Sequence, residues 1–162
     1  MNDLVVRNNT TEMAVVGKQD FVTVMLDGQI LGIPVLAVHD VLNAQQITKI
    51  PKAQDWVAGV LNLRGRIVTA IDLRRRLGLP PNEEGEKSMS VVVEHNEEPY
   101  SLQIDKVGEV LSLEDQLFEK NPVTLDPRWR EVSNGIYRLK DQLLPILDVD
   151  RLLAFESNNK AA

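Results

Sequence analysis

The chain is laid out twice. Residues Gly59–Leu77 superpose without a gap on Gly135–Leu153 at an offset of 76, so that Gly59 falls on Gly135, Leu63 on Leu139, Asp72 on Asp148, Arg75 on Arg151 and Leu77 on Leu153. Upstream, Val22–Leu42 lies over Val91–Leu111 at an offset of 69, matching Val24 to Val93, Val38 to Val107, Val41 to Val110 and Leu42 to Leu111. The two offsets differ by a seven-residue insertion in the second half. The shared order of Gly, Asp and Leu landmarks reads as a duplication, so any fold proposed for one copy must also suit the other.

Each copy opens with an apolar run, Phe21–Leu26 or Ser90–Val93, followed by a polar turn at Asp27-Gly28 or Asn96-Glu97-Glu98. Asp-Gly between apolar runs is a strong hairpin signal. Second strands are expected at Gln29–Val35 and Pro99–Ile104, and third ones at Ala37–Leu42 and Val107–Leu111. A further hairpin closes each copy: Val60–Leu63 and Ile67–Ile71 flank Arg64-Gly65-Arg66, and Ile136–Leu139 and Leu143–Leu147 flank Lys140-Asp141-Gln142. Asp72 and Asp148 then stand where a helix N-cap belongs, and Gly78 closes the turn Leu73–Leu77 as a left-handed stop. About five short strands and a scrap of helix per copy favour a small closed barrel, because closure removes sheet edges. The expected architecture is therefore mainly all-β, two five-stranded barrels in tandem. A lobe at about 19–79 and a second at about 88–155 are joined by the linker-like stretch 80–87, across which strands are free to cross. Residues 1–18 and 156–162 read as tails around the domain 19–155.

Composition excludes more than it proposes. With no cysteine there is neither a disulfide, a thiolate metal site nor a cysteine nucleophile. A net charge of −6 repels a phosphate backbone, which argues against nucleic acid as a partner. No apolar run is long enough for a membrane span or a signal peptide, so a cytoplasmic protein with no direct membrane insertion is expected. Aromatic residues make up only 4% of the chain, leaving Val, Leu and Ile to fill the cores.

No catalytic constellation emerges. His39 and His95 are the sole histidines and are not spaced as metal ligands, and His95 is expected to be solvated at a hairpin edge. There is no glycine-rich phosphate loop and no nucleophile elbow, so neither an enzyme, a metal nor a cofactor is expected. The run Arg74-Arg75-Arg76 reads as a solvated helix face rather than a nucleic-acid patch. Arg64, at a hairpin tip beside Gly65, has two open readings: an ordinary solvated turn residue, or a guanidinium preorganised for a carboxylate.

The segment Ile50–Arg74, with its Gly59-Val-Leu-Asn62-Leu63-Arg64-Gly65 core followed by Ile71-Asp72-Leu73-Arg74, resembles the central signature of the CheW family of bacterial chemotaxis coupling proteins. Gly32-Ile33 with Val38-His39-Asp40-Val41, and downstream Val107–Leu111, extend the resemblance to nearly the whole of Phe21–Leu153. The resemblance implies two SH3-like five-stranded barrels, a short helix ahead of Gly59, and a function made of interfaces. The implied partners are the cytoplasmic hairpin tip of chemoreceptors and the regulatory domain of a CheA-type histidine kinase. It further implies a place at membrane-associated receptor arrays through those partners, and it leaves open assembly with other CheW-like domains in rings. Carried across, Val38, Asp40 and Val41 fall where the family meets receptors and neighbouring barrels. Asn62, Arg64 and Gly65 fall on its central turn, Gly59 on the close approach before it, and Asp40 is the expected electrostatic neighbour of Arg64. Asp40 stands where glutamate is usual and Leu31 where an aromatic is common. A coupler serving pili or gene regulation, and a small-molecule-binding barrel, are the alternative readings.

Overall fold

The computed structural model describes residues 17–82 and 88–154, so most of the expected linker and both tails, apart from residues 17 and 18, lie outside the described residues. The first copy supplies β1 (Lys18–Leu26), β2 (Gln29–Pro34), β3 (Val38–Leu42), β4 (Val57–Leu63), β5 (Arg66–Asp72) and α1 (Leu73–Arg76). The second supplies β6 (Met89–His95), β7 (Glu98–Ile104), β8 (Lys106–Glu114), α2 (Pro127–Val132), β9 (Ser133–Arg138) and β10 (Leu143–Leu147). A last helix, α3, occupies 149–154. The fold is mostly β, and the two copies carry corresponding strands.

The sheets do not follow the division at 80–87. One five-stranded sheet runs β8-β1-β2-β10-β9 and the other β3-β6-β7-β5-β4. Each therefore combines the opening hairpin of one copy with the last three strands of the other. The crossing happens at the junction after each opening hairpin, where a 3-10 turn at Val35–Ala37 redirects the first copy and Asp105 the second. Parallel pairings seal the exchange, β10 with β2 and β5 with β7. Interchanging the copies turns one strand order into the other.

Each sheet also closes on itself. The segment after β3 pairs with β4 through Thr48 and Val60, with reciprocal N–H to carbonyl bonds of 2.8 Å each. The segment after β8 does the same through Glu119 and Ile136, at 2.9 and 2.8 Å. These contacts demand glycine beside them. A Cβ on Gly59 (φ 145°) would collide with the Thr48 carbonyl oxygen, and one on Gly135 (φ 157°) with the Phe118 ring. The expected close approach at Gly59 is thus the closure of a barrel wall.

The barrels share their main core. Val22, Val24, Leu31 and Ile33 of one sheet and Ile71, Val91, Leu102 and Ile104 of the other belong to a single buried cluster. Smaller clusters are private to each sheet, Phe21, Tyr137, Leu144 and Ile146 in one and Leu61, Val68 and Ala70 in the other. Alternation along β1 sends Val22 and Val24 to the shared core and Phe21 to the private one. Leu63 is half-buried against the smaller cluster, so it is not a central core residue.

Local signals act as their chemistry requires. Asp27-Gly28, Asn96-Glu97 and Arg64-Gly65 are two-residue turns with positive φ at both positions. Glu98 and Arg66, expected in turns, open the returning strands instead. Asp72 caps α1 by accepting the Arg75 N–H at 3.2 Å, and Asp148 accepts the Arg151 N–H at 3.1 Å. The short helix implied ahead of Gly59 is absent there, and its counterpart stands before Gly135 as α2, begun by Asp126 and Pro127.

Two sequence expectations are corrected by long-range contacts. The arginine run is no solvated face. Arg74 donates through Nε and Nη2 to the Asp105 carboxylate at 3.0 and 2.7 Å and through Nη1 to the Pro80 carbonyl at 2.7 Å. Asp105 in turn accepts the Asp27 N–H at 2.8 Å, so the first hairpin, α1 and the β7–β8 junction are tied together. Burial alone would raise the Asp105 carboxyl, but the Arg74 donors and the Asp27 N–H outweigh it and hold it below the usual carboxylate range. Arg76 reaches α3 through a 3.2 Å bond to the Leu152 carbonyl, which leaves Arg75 as the outward member. His95, for its part, is only 8% exposed, bonded through Nδ1 to Asp150 at 3.0 Å and through Nε2 to the Asn96 amide at 3.2 Å. At the offset of 76, Asp150 matches Arg74, so each copy's helix holds its own opening hairpin, at His95 or at Asp27, with a side chain of opposite charge.

Two substitutions probe this architecture. Leu102→Ala, at a fully buried position, is expected to lower unfolding free energy by about 2–5 kcal/mol in urea titration. Gly59→Ala is expected to cost more than about 1 kcal/mol, since strain and collision act together there; an unchanged midpoint would show that the barrel closes differently.

Candidate functional site

The central turn is built from backbone upward. Arg64 has φ 52° and Gly65 φ 83°, the pattern of a tight hairpin joining β4 to β5. The Asn62 side-chain oxygen accepts the Gly65 N–H at 3.0 Å and locks the turn. A left-handed arginine is unfavourable by roughly 1–2 kcal/mol, and glycine or asparagine would relieve it. Strain tolerated at a position whose side chain is 75% exposed points to a use for that side chain.

That use is visible in part. Arg64 Nη1 lies 2.7 Å from Asp40 Oδ2, while Asp40 Oδ1 accepts the Val41 N–H at 2.9 Å. Asp40 is on β3, one edge of the second sheet, and Arg64 is on the hairpin that forms its other edge. The ion pair therefore spans the closing seam of the barrel, beside the Thr48–Val60 bridge. The Arg64 hydrogen bond first, and the Val41 N–H second, hold the Asp40 carboxyl below its usual range. A cleft of about 190 Å³ lies at the pair, walled by His39, Leu63, Arg66, Val92 and Glu94.

The structure sorts the expected site residues. Asn62, Arg64 and Gly65 share the turn, and Asp40 joins them across the seam. A bulge in β3 sets Val38 opposite Val93, Asp40 opposite Val92 and Val41 opposite Val91. Opposed residues share a face, so Val38 and Val41 lie together on the side of the shared core while Asp40 lies on the other. Val38 is half-buried there and Val41 is 38% exposed. Gly59 is buried in the barrel wall and offers no surface of its own. One position escaped the sequence reading. Val110, the repeat counterpart of Val41, is 58% exposed on edge strand β8, where the same kind of bulge pairs it with Val22. The offset of 69 was the signal that could have found it.

Among the described residues no group of three or more His, Asp or Glu side chains is placed to hold a metal ion, and no helix is long and apolar enough to cross a membrane. What the geometry offers is a rigid turn presenting a charge, together with exposed apolar positions on an edge strand of each sheet.

Two closed, mutually exchanged β-barrels with such a face define a protein of the tandem-barrel class. The model of the CheW-like domain matches residues 20–157, and the chain belongs to that family. It is 29% identical to the chemotaxis protein CheW of Klebsiella aerogenes over 85% of this chain and 83% of that one. It is 27% identical to the chemotaxis protein CheW of Helicobacter pylori over 82% and 80%. Among solved structures, the scaffolding protein TtCheW of Thermoanaerobacter tengcongensis is similar with a TM-score of 0.71 and 29% identity, covering 80% of this chain and 88% of that one.

Because the folded pKa of Asp40 is depressed, the pair is complete above the usual carboxylate range, near pH 4, and is lost as pH falls through the lower folded value. Carbonyl-carbon NMR titration of Asp40 is expected to give a midpoint below that range in the wild type and to move up towards it in Arg64→Ala. Equal midpoints in the two would mean that the pair does not form in solution.

Proposed function

We propose that the chain is a non-enzymatic adaptor of a bacterial chemosensory system. It binds the cytoplasmic hairpin tip of chemoreceptors and the regulatory domain of a CheA-type histidine kinase, and so places kinase activity under receptor control. It acts in the cytoplasm at membrane-associated arrays, reached through its partners, and other CheW-like domains are candidate neighbours in rings.

The observation that carries this reading is the strained Arg64 turn and its Asp40 partner, set on the surface of a chain that belongs to the CheW-like family. A guanidinium held by backbone geometry loses little freedom when a second carboxylate meets it, and arginine is a common interface hot spot. Asp40 then acts as the resident partner that an incoming acid must displace or share. Val38, Val41 and Val110 supply apolar contact, Asn62 and Gly65 hold the turn, and Gly59 serves indirectly by letting the barrel close under it.

Pull-down from bacterial lysate with wild-type and Arg64→Ala chains tests the proposal. Wild type is expected to recover a chemoreceptor and a histidine kinase together. The variant, with thermal unfolding nearly unchanged, is expected to recover at least one of them several-fold less. Equal recovery by both chains would remove Arg64 from the interface, and recovery of neither partner by a folded wild type would overturn the adaptor reading.

A further inference from the structure

The chain has seven aromatic residues of the Phe, Tyr and Trp kinds, and three of them, Phe21, Phe118 and Tyr137, line one cleft of about 310 Å³ on the first sheet. Tyr137 is the hub, with ring centroids 5.5 Å from Phe21 and 5.4 Å from Phe118 at tilts of 58° and 54°. Phe118 is 40% exposed at the mouth. Tyr137 is only 3% exposed, yet its hydroxyl makes no hydrogen bond among the described residues. Gln19 and Asn134 add amides, and among the described residues Asp115 is the one charged side chain in the lining.

The repeat provides an internal control. At the matching place in the other barrel, Phe21 becomes Ser90, Tyr137 becomes Leu61, and Phe118 becomes Ile47 on the segment that closes the wall. There the void shrinks to about 30 Å³. The fold therefore does not require an open aromatic cleft at this position; the side chains that the two copies bring to the first sheet create it.

Its chemistry selects a cation. Aromatic faces attract guanidinium and ammonium groups through their quadrupole, and a carboxylate and a phenol oxygen offer acceptors for N–H donors. The Asp115 charge is felt inside, because it adds to burial in raising the Tyr137 hydroxyl pKa. No neighbouring cation fills the role within the described residues: Arg138 is paired with Glu119 at 2.9 Å, and strand alternation turns Lys18 to the face opposite Gln19 and Phe21. An aromatic face beside a carboxylate suits arginine over lysine, since a guanidinium stacks and donates in its plane at once.

We propose that this cleft receives an arginine side chain from a surface segment of a partner protein, with Phe21, Phe118 and Tyr137 packing on the guanidinium and Asp115 accepting its N–H groups. The site lies on the other barrel from Arg64 and Asp40, and it stands independently of the adaptor reading.

The test is an NMR titration of the full chain with the capped peptide acetyl-Gly-Ser-Arg-Ser-Gly-amide, against the same peptide carrying citrulline, its neutral isostere. The arginine peptide is expected to shift the side-chain amides of Gln19 and Asn134 and the backbone of Asp115 and Phe118 saturably, with a dissociation constant on the order of 1 mM. Citrulline, and the variants Asp115→Asn and Phe118→Ala, are each expected to weaken binding about tenfold or more, with resonances outside the cleft unmoved to show that the variants are folded. Arg64→Ala is expected to leave the titration unchanged. No saturation at about ten times that concentration, equal binding of the citrulline peptide, or shifts centred elsewhere would overturn the proposal. Cleft shifts on Arg7→Gln without any peptide would make this chain's own N-terminal segment the occupant and overturn the assignment to a partner.

Discussion

The constraint on which the structure depends is that neither copy closes its own barrel. Each opening hairpin, β1–β2 or β6–β7, finds its neighbours in the other copy: an antiparallel third strand on one side and a parallel fifth strand on the other. Both hairpins consequently turn Val22, Val24, Val91 and Val93 into one shared core. The stability of either barrel depends on the presence of both, since burial of apolar area is the main favourable term. Closure by Thr48–Val60 and Glu119–Ile136, with glycine beside each, then follows from how tightly the edges must meet.

This explains what could be read in the sequence and what could not. Caps and turns were legible because their physics is local: Asp72 and Asp148 needed only a helix three residues ahead, and Asp27-Gly28 only the strands on either side. The repeat was legible because two copies must obey one pattern. Strand partners were not. β3 carries the alternation of a half-buried strand whichever sheet it joins, so Val38–Leu42 does not state that Ser90–Val93 lies beside it. Partner-dependent roles failed for the same reason. Nothing near Arg74 in sequence announces Asp105, and nothing near His95 announces Asp150.

The candidate site was legible to the extent that it rests on a turn. Arg64 beside Gly65 fixed its own exposure, and the Asp40 neighbour came from family resemblance and is met in the structure at 2.7 Å. The faces of β3 were beyond reach, because one bulge places Val38 and Val41 on the same side although three positions separate them. Gly59, set by its place in the signature at a close approach, makes that approach inside the barrel wall rather than at the surface.

The exchange of strands has a further consequence for stoichiometry. A polypeptide carrying one copy alone would own a hairpin lacking both flanking strands, together with three strands lacking their hairpin. Two such polypeptides related by a two-fold axis would satisfy every pairing seen here, because interchanging the copies turns each strand order into the other. The present chain is equivalent to that symmetric dimer with its subunits joined between Gly78 and Ser88, and the join frees the two halves to diverge. One barrel then carries a strained arginine turn and the other an aromatic cleft. Covalent union has made distinguishable two faces that symmetry would have forced to be the same.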